Sequence, residues 1–330
     1  MQDDIFPEPS PARRRRRFGL PQLPSLQVGR WIGRLLLALL ILVLLYYPIG
    51  MFWVHRIDDD TSFQSGEVSA GASRAVAIAA ALIGREVNSH EWVANDPFFL
   101  PGWALDNMPN FQQGIVGALS RFAIEMTDQI GRTRGSSEAD ADLDKAAGLL
   151  KYPGTVWLFD FSTSWAPTAS SESQYRAARA AFLAYNERLA QGRAVFERRA
   201  DNLLATLDRI AADLGSASAT IDEHIESHSG TLIDFQADDI FYRSKGRIYG
   251  YYLLLRELGV DFEKVIQDRD LTTTWSQMLE SLKYAAEIQP WVILNGSPSS
   301  QFVPSHLASQ GFYLLRARTQ LREVSNVLLK

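Results

Sequence analysis

SESQYRAARAAFLAYNERLAQGRAVFERRADNLLATLDRIAADL, residues 171–214, decides the fold class. Tyr175, Phe182, Leu189, Phe196, Leu203 and Ile210 recur every seven residues, a spacing that lines one face of an α-helix. Ser171 with Gln174 reads as a capping box at its start. The second row that a zipper needs is Ala178, Tyr185, Gly192, Arg199 and Thr206, so the narrow seam fails after Tyr185. Ala200, Leu207 and Leu214 carry the second stripe instead, which is the wider face of a globular bundle. The spacing predicts one long amphipathic helix, with Gly192 as a place to bend.

Outward from that stretch, helical patterns continue near 73–87, where Ser73 is a suitable N-cap, and near 111–130. They resume near 217–229, 237–258, 261–269, 273–288 and 305–328, with short breaks that favour antiparallel neighbours. Two β-like runs interrupt them, Thr155–Phe159 after Pro153-Gly154 and Trp291–Leu294 before Asn295-Gly296, and these are expected to pair. The fold class is mostly α: a multi-helix bundle with one small two-stranded β element. No repeat of fixed period is visible, so a solenoid has no support.

LLLALLILVLLYYPIGMFWV, residues 35–54, holds no charge, and twenty residues at about 1.5 Å each match a hydrocarbon layer of roughly 30 Å. Residues 1–34 carry seven Arg, including Arg13 to Arg17, against Asp3, Asp4 and Glu8, for a balance of +4. Arg56 beyond the run is followed at once by Asp58, Asp59 and Asp60, so the basic flank places the N-terminus in the cytoplasm. Trp31 on one side and Tyr46, Tyr47, Phe52 and Trp53 on the other suit the headgroup level. Pro48 removes one backbone donor near the end of the run, which a membrane helix tolerates. The competing reading is a cleaved signal peptide. Against it, the run is longer than a usual signal core and the small residues Ser69 to Ala72 lie well past its end. The expected division is a basic, largely disordered cytoplasmic tail at 1–34, a transmembrane helix at 35–54, a linker at 55–72 and a periplasmic helical domain at 73–330.

The other 296 residues hold 26 Lys plus Arg against 35 Asp plus Glu, a balance of −9 that argues against nucleic acid as a partner. With no cysteine, disulfides, thiolate catalysis and Cys-ligated zinc are excluded. At 330 residues and 46% hydrophobic content, the chain can bury a sizeable core by packing alone.

Two places carry candidate chemistry. His224 and His228, four apart in DEHIESH, put two imidazoles on one helix face within reach of a divalent metal such as zinc. The metalloprotease pattern needs Glu directly after the first His, and Ile225 stands there. A third ligand would come from His90, Glu91 or His306, and the alternative is a solvated polar face with no cofactor. The loop NDPFFLPGWALDNMPNFQQG, residues 95–114, joins aromatics and prolines to Asp96, Trp103, Asp106, Asn107 and Asn110. It could line a groove for a peptide, lipid or glycan, or it could cap the bundle with its own rings. Asp238-Asp239 suits a helix N-terminus better than acid–base work. No G-x-S-x-G, Gly-rich phosphate loop or G-x-G-x-x-G is present, and Asn295-Gly296-Ser297 reads as a turn rather than a glycosylation site.

The segments DPFFLPGWALDNMPNFQQGI, ERRADNLLATLDRIAADLGSAS and FYLLRARTQLREVSNVLLK, with the chain from about Tyr46 to the C-terminus, resemble a proteobacterial membrane-anchored family of unknown function. The resemblance implies a Gram-negative inner-membrane anchor with a periplasmic domain, and it transfers no catalytic residue. The sequence favours a non-enzymatic envelope scaffold that binds the lipid bilayer through its anchor and an envelope protein through its bundle. The alternatives are a metal-dependent periplasmic hydrolase using His224 and His228, and a ligand-sensing bundle. A cytoplasmic segment of some 34 residues is too short for an output domain of its own.

Overall fold

A computed structural model describes residues 25–133, 139–159, 165–228, 230, 234–297 and 299–330. The basic tail expected over 1–34 lies outside the described residues up to residue 24. Two compact units divide at Tyr46 and Tyr47. Helix α1, Ser25–Val54, begins ten residues before the uncharged run and continues through Pro48. It is long and apolar enough to cross a membrane from Val28 to Val54, and none of its most apolar window is buried.

Nine further helices make up the described remainder of the second unit: α2 Arg74–Gly84, α3 Asn107–Thr133, α4 Ala141–Leu150, α5 Ser171–Ala190 and α6 Ala200–His228, then α7 Phe235–Asp261, α8 Glu263–Asp268, α9 Thr272–Ala286 and α10 His306–Leu328. The bundle is built around α3 and α7. Gly114 on α3 and Gly246 on α7 allow this, because a Cβ on either would strike the other helix's backbone, at Arg243 and Phe111 respectively. Tyr249, Tyr251, Leu253, Leu254 and Leu255 of α7 are all buried, as befits a helix covered on every side. Helix α2 fits against α5 and α7, α4 against α3 and α5, and α10 against α6 and α9.

The heptad stripe is buried at Tyr175, Phe182, Leu189, Leu203 and Ile210, but the single long helix is not formed. It breaks at Gln191, Gly192 takes a left-handed φ of 68°, and the chain is irregular to Arg199 before α6 begins. Arg193 and Ala194 N–H both turn back to the Arg188 carbonyl, and Tyr185 Oη donates to Val195 O at 2.8 Å. The stripe survives because Phe196 bridges the break, its ring 5.6 Å from that of Phe262. Beyond Leu214, α6 runs unbroken into the stretch expected as a separate helix at 217–229. Ser170, not Ser171, caps α5, since Ser171 is buried with its hydroxyl on the carbonyls of Pro153 and Val156.

Among the described residues no strand forms, so the two β-like runs do not pair. Each finds a partner close in sequence instead. Ser171 and Thr168 N–H close onto Val156 O and Leu158 O, at 3.0 and 2.7 Å. Leu294 O accepts from His306 N–H, beside an isolated antiparallel bridge between Asn295 and Ser305. Closing a short loop costs less chain entropy than joining segments more than a hundred residues apart.

Residues 58–75 run along α7 in register. Asp59 meets Lys245, Asp60 O accepts from Tyr249 Oη, Thr61 O and Phe63 O accept from Arg256, and Asp261 receives Ser73 Oγ with the N–H groups of Arg74 and Ala75. Asp261 thereby supplements Ser73, whose own hydroxyl caps Val76 N–H, in covering the donors that begin α2.

Candidate functional site

The loop before α3 is held from two directions. Asn95 Nδ2 donates to Val156 O at 2.8 Å and to Glu172 at 2.9 Å. Pro101 starts a single 3-10 turn, Pro101–Ala104, and the Asp96 carboxylate lies so close over Gly102 that a Cβ there would collide with it. Burial, then the nearby charges of Glu172 and Glu91, raise Asp96 to about 6, although it accepts the Gly102 N–H. Trp103 is on the same turn and stays 60% exposed. Phe98, Phe99, Trp157 and Phe159 form a chain of edge-on rings with centroids 5.5 Å apart.

Asp106, Asn107 and Asn110 stand one turn on, at the start of α3. Asp106 Oδ1 accepts the N–H of Asn107, the first residue of α3, at 2.9 Å. Asn110 Nδ2 donates to Asp239 at 2.6 Å, and Arg243 Nε donates to Asn110 Oδ1 at 3.2 Å. The Asn107 amide, turned so that its nitrogen faces the carboxylates, donates to Asp238 and, at 3.1 Å, to Asp106. Three carboxylates thus share one arginine and two amides. Burial and the charges of Asp106 and Asp239 push Asp238 up to about 7, and Asp239 is raised by burial and by Asp106. Burial and the charges of Asp238, Asp59 and Asp106 lift Tyr242 to about 12.

A pocket of about 180 Å³ opens beside this cluster, lined by Asn107, Asp234, Phe235, Asp238, Trp291, Val292 and Ile293. It links the two sets of residues singled out in the sequence, because Asp234 is also the partner of His224. His224 is buried, its Nε2 2.7 Å from Asp234 Oδ2. The other oxygen, Oδ1, accepts Ala237 N–H at 3.0 Å and caps α7. Burial opposes ionisation of Asp234, but these bonds and one from Asn295 prevail and hold it below the usual carboxylate value. His228 shares the helix face, as its spacing requires, and stacks flat on His224 with ring centroids 4.6 Å apart. Its Nδ1 is 2.7 Å from Ser227 Oγ. Of the other proposed ligands, His90 stands 3.7 Å from both Glu86 and Asp58, His306 Nδ1 accepts Leu294 N–H, and the Glu91 carbonyl accepts from Gln112. Among the described residues no three His, Cys, Asp or Glu side chains are grouped as a metal site.

A polar group that sequence reasoning missed lies along the segment after α1. Lys245, 1% exposed, reaches Asp59 Oδ2 at 2.6 Å and the carbonyls of Ala286 and Ile288 at 2.6 and 2.7 Å. Gln289 Nε2 binds both Asp59 oxygens, at 2.6 and 2.7 Å. Burial lowers the Lys245 ammonium, and Asp59 counters it. Nearby, the Arg85 guanidinium is sandwiched between the rings of Phe63 and Tyr249, 4.7 and 5.1 Å away, in the π-helical turn Arg85–Ser89. Lys245 stands between Arg243 and Arg247 in YRSKGRIYG, so its immediate sequence does not mark it as the buried cation of the three.

A family described as an uncharacterized protein conserved in bacteria (DUF2333) matches residues 27–234 and 231–330. The chain belongs to this family. The family match begins in α1, so it takes in the apolar helix as well as every element of the bundle. No curated protein and no solved structure matches the chain.

Proposed function

We propose that the protein is a single-pass anchor of the bacterial inner membrane, with its N-terminus in the cytoplasm and its bundle in the periplasm, and that the bundle binds a partner protein of the envelope. The observation that carries this reading is α1, apolar and exposed through the part that precedes the bundle and flanked by a +4 segment. A helix of that composition needs an apolar solvent to cover it. The use of the bundle's ionic groups supports a binding role over turnover: Lys245, Arg85, His224 and Arg188 are each spent on a carboxylate of the same chain.

Alkaline phosphatase fused after Lys330 tests the orientation, since that reporter folds only outside the cytoplasm. An active fusion that sediments with membranes is expected. An inactive fusion overturns the orientation, and a soluble product whose N-terminus lies beyond Val54 replaces the anchor with a signal sequence. The chain has no cysteine, so single cysteines at exposed positions such as Glu223 and Asp268 allow site-specific crosslinking in living cells. Capture of the same envelope protein from neighbouring positions is expected, and no capture from any face of the bundle overturns the binding role.

A further inference from the structure

Pro97–Leu105, PFFLPGWAL, is nine residues without a charge, and it presents Phe98, Phe99 and Trp103 at 68, 46 and 60% exposure. An exposed cluster of large rings on a bundle with a core of its own requires an explanation. The position of the loop supplies one. Tyr47 Oη of α1 donates to the Phe98 carbonyl, and Gly50 of α1 lies so close to the Pro101 ring that a Cβ would overlap it. Tyr47 is seven residues short of the end of α1, or about 10 Å along the axis. The loop is therefore alongside the last two turns of α1, from Tyr47 on, rather than beyond their tip.

A second apolar group lies at the same end of the bundle. Trp291 and Val292, fully and 66% exposed, border the pocket with Asn107, next to Asp106, whose charge acts on His55 just past the end of α1. Phe235, 75% exposed, lines the same pocket at the start of α7. α7 leads away from this end, and its 24 residues from Asp238 to Asp261 cover about 35 Å.

We propose that Pro97–Leu105 is a second membrane contact, its aromatic rings seated at the headgroup level of the leaflet from which α1 emerges. The inference rests on α1 crossing the bilayer. Amphipathic rings such as tryptophan favour that level, and the 3-10 turn bound to Asp96 presents them on a short, internally bonded segment.

The test uses the full chain in phosphatidylcholine vesicles, labelled with an environment-sensitive fluorophore at one introduced cysteine at a time. The positions are Leu40→Cys in α1, Phe98→Cys and Trp103→Cys in the loop, and Lys264→Cys in α8, just past the far end of α7. All four are exposed, so none disturbs a core. Expected are deep quenching at 40 by nitroxides near the acyl-chain ends, and blue-shifted emission at 98 and 103 quenched by nitroxides close to the headgroup. Position 264 should keep the emission of water. Labels at 98 and 103 that behave like 264, with 40 still quenched, overturn the membrane contact and leave the anchor standing. A label at 40 that behaves like 264 overturns the anchor, and the contact with it.

Discussion

The Asp59 contact and the Asp238 cluster both border the first three turns of α7, and they treat a carboxylate in opposite ways. Asp59 is buried, yet it meets an ammonium at 2.6 Å and the single Gln289 amide, which donates to both of its oxygens. Asp238 is less buried and faces two acids, with burial and repulsion together raising it to about 7. The degree of burial does not decide what a charge costs. The sign and geometry of its neighbours do, because in a poorly solvated site an unmatched charge is expensive and a matched one is not.

The largest effect should come from breaking the matched pair. Asp59→Ala leaves the Lys245 ammonium buried against carbonyls alone and should cost about 3 kcal/mol, read as a lower urea midpoint with unchanged slope. Asp261→Asn comes next. Asp261 accepts from Ser73 Oγ and from two N–H groups at the start of α2, and an amide keeps its shape while losing the charge, for a loss of about 1–2 kcal/mol in the same measurement.

Asp140→Ala should cost about 1 kcal/mol as a lost N-cap of α4. Burial disfavours the Asp140 charge, but Arg188 and two backbone N–H groups outweigh it and hold the carboxyl below 3.8. A lowered acid binds fewer protons folded than unfolded, so its contribution is complete above pH 3.8 and fades as pH falls through the folded value. The Asp140→Ala penalty should therefore shrink in acid.

The smallest effect has the opposite sign. Asp238→Asn should raise the melting temperature at pH 8, raise it less at pH 5, and leave it almost unchanged below pH 3.8. The folded chain holds a proton that the unfolded chain releases between pH 3.8 and about 7, so stability falls across that window in the parent and not in the variant. An equal shift at every pH would show that Asp238 acts by shape rather than charge.

What the sequence revealed, and what it hid, follows the reach of each interaction. The Ser73 cap and the apolar run ending at Val54 are local patterns that the structure has where they were read, and the helix read from 305 starts one residue on, at His306. The break at Gln191–Arg199 was hidden because Leu189 and Leu203 are two heptads apart, so the stripe keeps phase across it. Helix α4 was legible and overlooked: Asp140 precedes Leu143, Ala146, Ala147 and Leu150, all buried at helical spacing. The spacing of His224 and His228 predicted a shared face correctly, but nothing near them in sequence shows that Asp234 occupies one ring and caps the next helix with the same carboxylate. The acid cluster unites residues 106 and 238, and such a meeting has no periodicity to read.

The Asp59 contact also sets an order of events during synthesis. Asp59 precedes Gln289 by 230 positions. At about 5 to 20 residues per second, the carboxylate leaves the ribosome on the order of 10 to 50 s before its last partner exists. For the first 186 positions of that interval the segment after α1 has no Lys245 to hold it, and to its end it has no Gln289. The first stretch of the second unit to be made is thus completed only when the final third arrives, and a ribosome that stalls before residue 289 leaves an unfinished product marked at its beginning.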